Sequence, residues 1–151
     1  LDPVCERVVA SVNGTTPIAP VLDAELRERC LDLLLSFAKS NQHKRLDTVI
    51  AEATKVLEVR LRRATGANEN KVGMDLANEA FAGDKPRIVL STTKAERDAA
   101  VQLFRGIFGF LRNPVHHNFR EIPPERAAQI IAFIDYLLYV IESAKAEGNS
   151  V

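Results

Sequence analysis

Near the end of this chain Ile130, Ile131, Phe133, Ile134, Tyr136, Leu137, Leu138, Tyr139, Val140 and Ile141 crowd one stretch and leave little polar face. Pro123-Pro124 opens a helix there, expected over about 124–146. A helix apolar nearly all round is buried on more than one side. In a chain of 151 residues the second side is either the core of the same bundle or a partner subunit, and both readings stay open. Gly106 and Gly109, on the preceding helix, point the same way. Each costs about 1 kcal/mol against alanine in a helix, so the pair suggests a place where another backbone comes close, in a second copy or in the same chain.

The remaining elements read as further helices. Residues 1–20 carry Asn13-Gly14-Thr15-Thr16-Pro17 and Pro20, the chemistry of a leader or linker, with a single domain expected over 21–151. Asp23 caps a helix over about 24–40, with Leu26, Cys30, Leu33, Leu34 and Phe37 on one face. A second helix, about 45–65, ends before Gly66 and after Arg60, Arg62 and Arg63. A third runs over about 71–82. Met74 and Phe81, seven apart, are read as core contacts on it. Arg87-Ile88-Val89-Leu90-Ser91 reads as a short extended segment or half of a small hairpin. Thr93 with Glu96 forms a capping-box signature that opens a helix to Arg112 or Asn113. The expected fold is all-α, a bundle of about five helices.

Composition narrows the function classes. Lys+Arg and Asp+Glu are 20 each, so net charge is zero and indiscriminate coating of nucleic acid is disfavoured, although a locally basic site is not. The two cysteines, Cys5 and Cys30, lack metal-ligand spacing and read as a reduced cytosolic thiol pair. No metal, cofactor or phosphate-binding glycine loop is expected. The chain shows neither a signal sequence nor an apolar stretch judged long enough to span a bilayer, and a cytoplasmic location follows. It opens on Leu1, which suggests a domain of a longer protein.

The chemistry concentrates in Arg112-Asn113-Pro114-Val115-His116-His117. Arginine forks onto phosphate, and histidine moves a proton near pH 7. Pro114 disfavours helical geometry at Asn113, so the run sits where the chain turns. If Asn113 caps a new turn there, free backbone N–H groups after Pro114 face an anion. Arg112 would then hold a phosphate while His117 exchanges a proton with a 2′-hydroxyl or a leaving 5′-oxygen, without a metal. The plain alternative pairs Arg112 with a carboxylate and leaves Asn113 as a cap and both histidines in solvent. Arg120 lies close enough to touch an RNA backbone, with Glu121 and Glu125 as competing partners. His43 reads as a solvated loop residue. Arg60, Arg62 and Arg63 read either as an extension of a phosphate-binding surface or as a solvated helix end.

A long, mostly apolar helix ending in Arg-Asn-Pro and followed by a histidine resembles the HEPN superfamily, with four residues between Arg112 and His117. Gly73-Met74-Asp75-Leu76-Ala77-Asn78-Glu79-Ala80-Phe81, then Pro86 and Ile88-Val89-Leu90, resembles its Ymh-type prokaryotic subfamily. The likeness covers about residues 45–142. It implies an all-α bundle whose dimer sets the motifs of two subunits face to face, and a metal-independent endoribonuclease of toxin or phage-defence type. By position, Arg112 and His117 would be catalytic and Asn113, His116 and Arg120 would contact phosphate or RNA. His116 stands where the subfamily often has a small residue, which leaves open which histidine works. The partners implied are RNA, a second copy through the helices around 94–113 and 124–146, and an antitoxin or upstream sensor domain. The competing expectation is a non-catalytic helical dimerisation or nucleotide-binding module.

Overall fold

In a computed structural model the chain is described over residues 21–112 and 119–148, with 145–148 as backbone only. Among these residues there are five helices and no strand. Helix α1 covers 24–39 as Ala24–Leu26, a π turn at Arg27–Leu31, and Asp32–Lys39. After a one-turn 3₁₀ helix at His43–Arg45 come α2 (Leu46–Thr65) and α3 (Gly73–Phe81). Helix α4 covers 94–112, as Lys94–Ile107 and a π turn at Phe108–Arg112, and α5 is Pro124–Gly148. The leader expected over 1–20 lies outside the described residues, as does Cys5.

Local chemistry explains most of these limits. The Asp23 side chain accepts from the Leu26 N–H at 2.9 Å and caps α1. Gly66 ends α2 in the left-handed region at φ 65°, where a side chain would strain the backbone. Thr93 accepts from the Glu96 N–H at 3.4 Å, but Glu96 does not complete a capping box. Its carboxylate instead accepts from the Ser91 hydroxyl, and Ser91 Oγ takes the Thr93 N–H. Residues 87–91 form neither strand nor hairpin. Ile88 donates its N–H to the Ala80 carbonyl at 2.9 Å and buries its side chain, folding the segment back over the end of α3.

The core is the seam between α2 and α5, closed on one side by α1 and on the other by α3 and the π end of α4. Leu46, Val49, Ile50, Ala53, Leu57 and Leu61 of α2 meet Ile131, Ile134, Leu137, Leu138 and Ile141 of α5, all essentially without solvent contact. Phe81 and Phe104 stack at 4.5 Å between ring centroids and join α3 to α4. Met74 departs from the expected core role. It is 44% exposed and rests its sulfur 3.8 Å from where a Cβ on Gly109 would stand. Cys30 is a free, buried thiol. Burial, helped by the nearby Glu52 charge, pushes its pKa up to about 12, so it stays protonated.

Helix α5 differs from expectation in one respect. Its stretch Pro124–Ala144, at a mean hydropathy of 1.4, is long and apolar enough to cross a bilayer by length and composition, and 39% of the most apolar window is buried inside the bundle. Its inner face is the core just described. Its outer face carries Phe133 (41% exposed), Tyr136 (58%) and Tyr139 (68%).

Candidate functional site

All four buried polar residues among those described, Asp47, Thr54, Glu58 and Thr65, belong to α2. Their spacings of seven, four and seven residues keep them within about 40° of one another around the helix. Thr54 and Thr65 satisfy themselves on preceding carbonyls of α2, Ala51 at 3.0 Å and Leu61 at 3.0 Å. The two carboxylates instead reach other parts of the chain, Glu58 the Arg112 side chain and Asp47 the Arg120 amide.

Glu58 is 5% exposed. Its Oε2 accepts from the Gly73 N–H at 3.0 Å and lies 3.3 Å from Arg112 Nε, while Oε1 accepts from Arg62 Nη2 at 3.0 Å. Arg112 leaves the wide π turn at the end of α4 with its side chain 25% exposed. The ion pair makes its closest approach at the Nε edge of the guanidinium. Gly73 sits beneath the guanidinium with φ +54°, and a Cβ there would stand 3.6 Å from Arg112 Nη1. The positive φ, rather than lack of space, is what calls for glycine.

Asp47 is 6% exposed in the first turn of α2. Its Oδ1 accepts from the Thr48 N–H at 2.8 Å, and its Oδ2 accepts from the Arg120 backbone N–H at 3.2 Å, 73 residues along the chain. Arg120 thus enters through its backbone, and its side chain points to solvent beside a fully exposed Phe119. Asn113, His116 and His117 lie outside the described residues. The structure therefore places Arg112 and Arg120 at two ends of one polar stripe. Neither Glu58 nor Asp47 is singled out by residue type alone; the signal for them is acidic residues recurring on the apolar side of an amphipathic helix.

Arg60, Arg62 and Arg63, near the end of α2, each meet a carboxylate. Arg60, 16% exposed, bonds Asp23 at 2.9 Å and Glu25 at 3.0 Å and meets Glu142 at 3.4 Å. Burial alone would lower the guanidinium pKa, and the Asp23 and Glu25 hydrogen bonds outweigh this and raise it. Arg62 also donates to the Lys71 carbonyl at 3.1 Å, and Arg63 lies 3.4 Å from Glu25. Arg60 bolts α1, α2 and α5 together and Arg62 ties α2 to the Lys71 backbone, whereas Arg63, with its side chain 63% exposed, keeps the reading of a solvated helix end. His43, in the 3₁₀ turn, is half-buried rather than free in a loop. Among the described residues no three of His, Cys, Asp and Glu are grouped as a metal would require.

An apolar cleft of about 590 Å³ opens between α4 and α5, lined by Leu103, Gly106, Phe110, Ile130 and Phe133 among others. Phe110 is 73% exposed there. A Cβ on Gly106 would meet nothing within 4 Å, and Gly109 faces only the Met74 side chain. No backbone within the described chain comes close to either glycine.

Five helices around a buried carboxylate stripe that holds an arginine at the end of α4 define an all-α domain with a polar site at one seam. Residues 21–141 match the family described as "Protein of unknown function (Hypoth_ymh)", and the chain belongs to that family. No curated protein and no solved structure matches it.

Proposed function

We propose that this domain is a HEPN-type endoribonuclease that works as a dimer. The observation that carries the reading is the setting of Arg112. Glu58 is already engaged by Arg62 and the Gly73 N–H, so Arg112 does not stand alone in neutralising it. Held at Nε, the arginine keeps a preset orientation in which its Nη groups can fork onto a phosphate with little ordering entropy left to lose. His117, five residues on, supplies the proton transfer. The 2′-hydroxyl attacks phosphorus, the bond to the 5′-oxygen breaks, a 2′,3′-cyclic phosphate forms, and the proton passes from the 2′-oxygen to the leaving 5′-oxygen. The apolar cleft between α4 and α5, with its exposed Phe110 and open Gly106, supports a second copy at that face.

The second reading, a non-catalytic helical dimerisation module, draws on the same ion pair, because an arginine bound to a buried carboxylate can be a structural bolt. Incubating the protein with RNA in EDTA, beside Arg112→Ala and His117→Ala, separates the two. The ribonuclease reading expects cyclic-phosphate ends, no cutting of DNA, which lacks the 2′-hydroxyl, and loss of cleavage by folded variants. Absence of cleavage by the wild-type dimer, or cleavage of DNA, overturns it in favour of the module.

A further inference from the structure

We propose that the pocket between the start of α1 and the outer face of α5 is a docking site for an arginine side chain of a partner protein. The proposal is independent of the ribonuclease reading. The pocket, of about 590 Å³, is lined by Leu22 and Asp23 ahead of α1 and by Asp135, Tyr136, Tyr139 and Glu142 of α5, among others. It lies at the α1 edge of that face, whereas the second copy proposed above sits at the α4 edge, beside Phe110 and Phe133.

Two observations select the occupant. The first is the tyrosine pair. Tyr136 and Tyr139 set their rings 6.5 Å apart between centroids and 32° from parallel, and both are more than half exposed. The face of an aromatic ring carries negative charge and attracts a cation within about 6 Å of its centroid. This chain makes such a contact itself, with Arg45 lying 5.0 Å over the Phe37 ring. The second observation is charge. Of the carboxylates lining the pocket, Asp23 and Glu142 share a single guanidinium, that of Arg60, with Glu25. Asp135 spends Oδ1 on the Leu22 and Asp23 N–H groups, at 3.1 and 2.8 Å, and among the described residues its Oδ2 takes no hydrogen bond. Glu142 meets Arg60 through Oε1, with its side chain 47% exposed. An RNA phosphate or an anionic membrane surface would be repelled by this rim. A purely apolar partner would bury the carboxylates without new donors. An arginine answers both features: its methylene stem lies along the apolar wall at Leu22, while the planar guanidinium stacks on a tyrosine ring and forks onto Asp135 or Glu142.

The chain has two tyrosines, both in this pocket, and no tryptophan, so tyrosine fluorescence of the full chain reads the site directly. The probe is an acetylated, amidated Leu-Arg-Leu peptide, followed by fluorescence and by titration calorimetry. It should bind saturably and more weakly as salt rises. The same peptide with citrulline for arginine, which keeps the shape and loses the charge, should bind at least about tenfold more weakly. Tyr139→Leu, which keeps an apolar wall but no ring, and Glu142→Gln should each weaken the arginine peptide about fivefold or more with the melting temperature unchanged. Glu142 is exposed enough that its variant answers the question if Tyr139→Leu does not fold. Phe110→Asp, at the α4 edge, should bind the peptide as the wild type does. Equal affinity for the citrulline peptide, or wild-type affinity in both pocket variants, overturns the proposal. So does the absence of both a fluorescence change and a heat of binding. Binding seen in Phe110→Asp but not in the wild type overturns it as well, by showing that a second copy of the chain covers the rings.

Discussion

Helices α2 and α5 pack against each other along most of their length, and each breaks the amphipathic rule in the opposite direction. Helix α2 buries four polar side chains on one stripe; α5 leaves three aromatic residues in solvent on its outer face. A buried polar group and an exposed apolar patch are the two departures that carry information. The first marks groups kept inside because they hold something in place, here Arg112 and the Arg120 amide. The second marks the face on which the proposed second copy would dock.

If the two faces of α5 differ as described, Leu137→Ala, at a site with no solvent contact, should cost about 2–5 kcal/mol in chemical denaturation. Tyr136→Ser on the outer face should stay within about 0.5 kcal/mol. Equal effects would erase the distinction. On α2, Glu58→Ala strips an acceptor from Arg62, the Gly73 N–H and Arg112 at once, and a loss of about 1–3 kcal/mol is expected. Glu58→Gln, which keeps a carbonyl acceptor, should lose less. If both are neutral, the polar stripe is decoration.

The open face is tested next. Phe110→Asp should weaken self-association by about tenfold or more, read by light scattering across a dilution series, with little change in the stability of the monomer. A wild-type chain that stays monomeric at every concentration would instead assign the outer face of α5 to a different partner. The smallest expected effect is at Gly106, where an added Cβ meets nothing within 4 Å. Gly106→Ala should stabilise the monomer by about 0.5–1 kcal/mol through helix propensity. Where a second helix closes over that glycine, the same change should weaken association.

Helices were legible in the sequence because their signals are local. Asp23, Gly66, Thr93 and Pro124 mark ends through bonds or dihedrals made within a turn, and the expected spans fall within a residue or two of those observed. The 87–91 stretch misled because β-branched residues suit any extended backbone, and whether Ile88 pairs in a ladder or caps α3 through Ala80 depends on tertiary contacts. The candidate site was half legible. Arg112 stands out as a residue type beside a proline. Asp47 and Glu58 do not, since a carboxylate on a helix is ordinarily solvated and their partners lie far away in sequence; the spacing that aligns them with Thr54 and Thr65 was there to be read. Arg60, Arg62 and Arg63 looked like free cations because the carboxylates that bind Arg60 and Arg63 come from α1 and α5, while Arg62 binds Glu58 and the Lys71 carbonyl.

The π turn at Phe108–Arg112 spends one more residue per hydrogen-bonded ring than the α-helix that precedes it. Inserting a further residue into α4 just ahead of it would turn Arg112 by about 100° around the axis, away from Glu58. Point substitutions in the same turn alter packing but leave this phase untouched. The site is therefore more sensitive to indels than to replacements there: what aims the arginine is the reading frame of the helix.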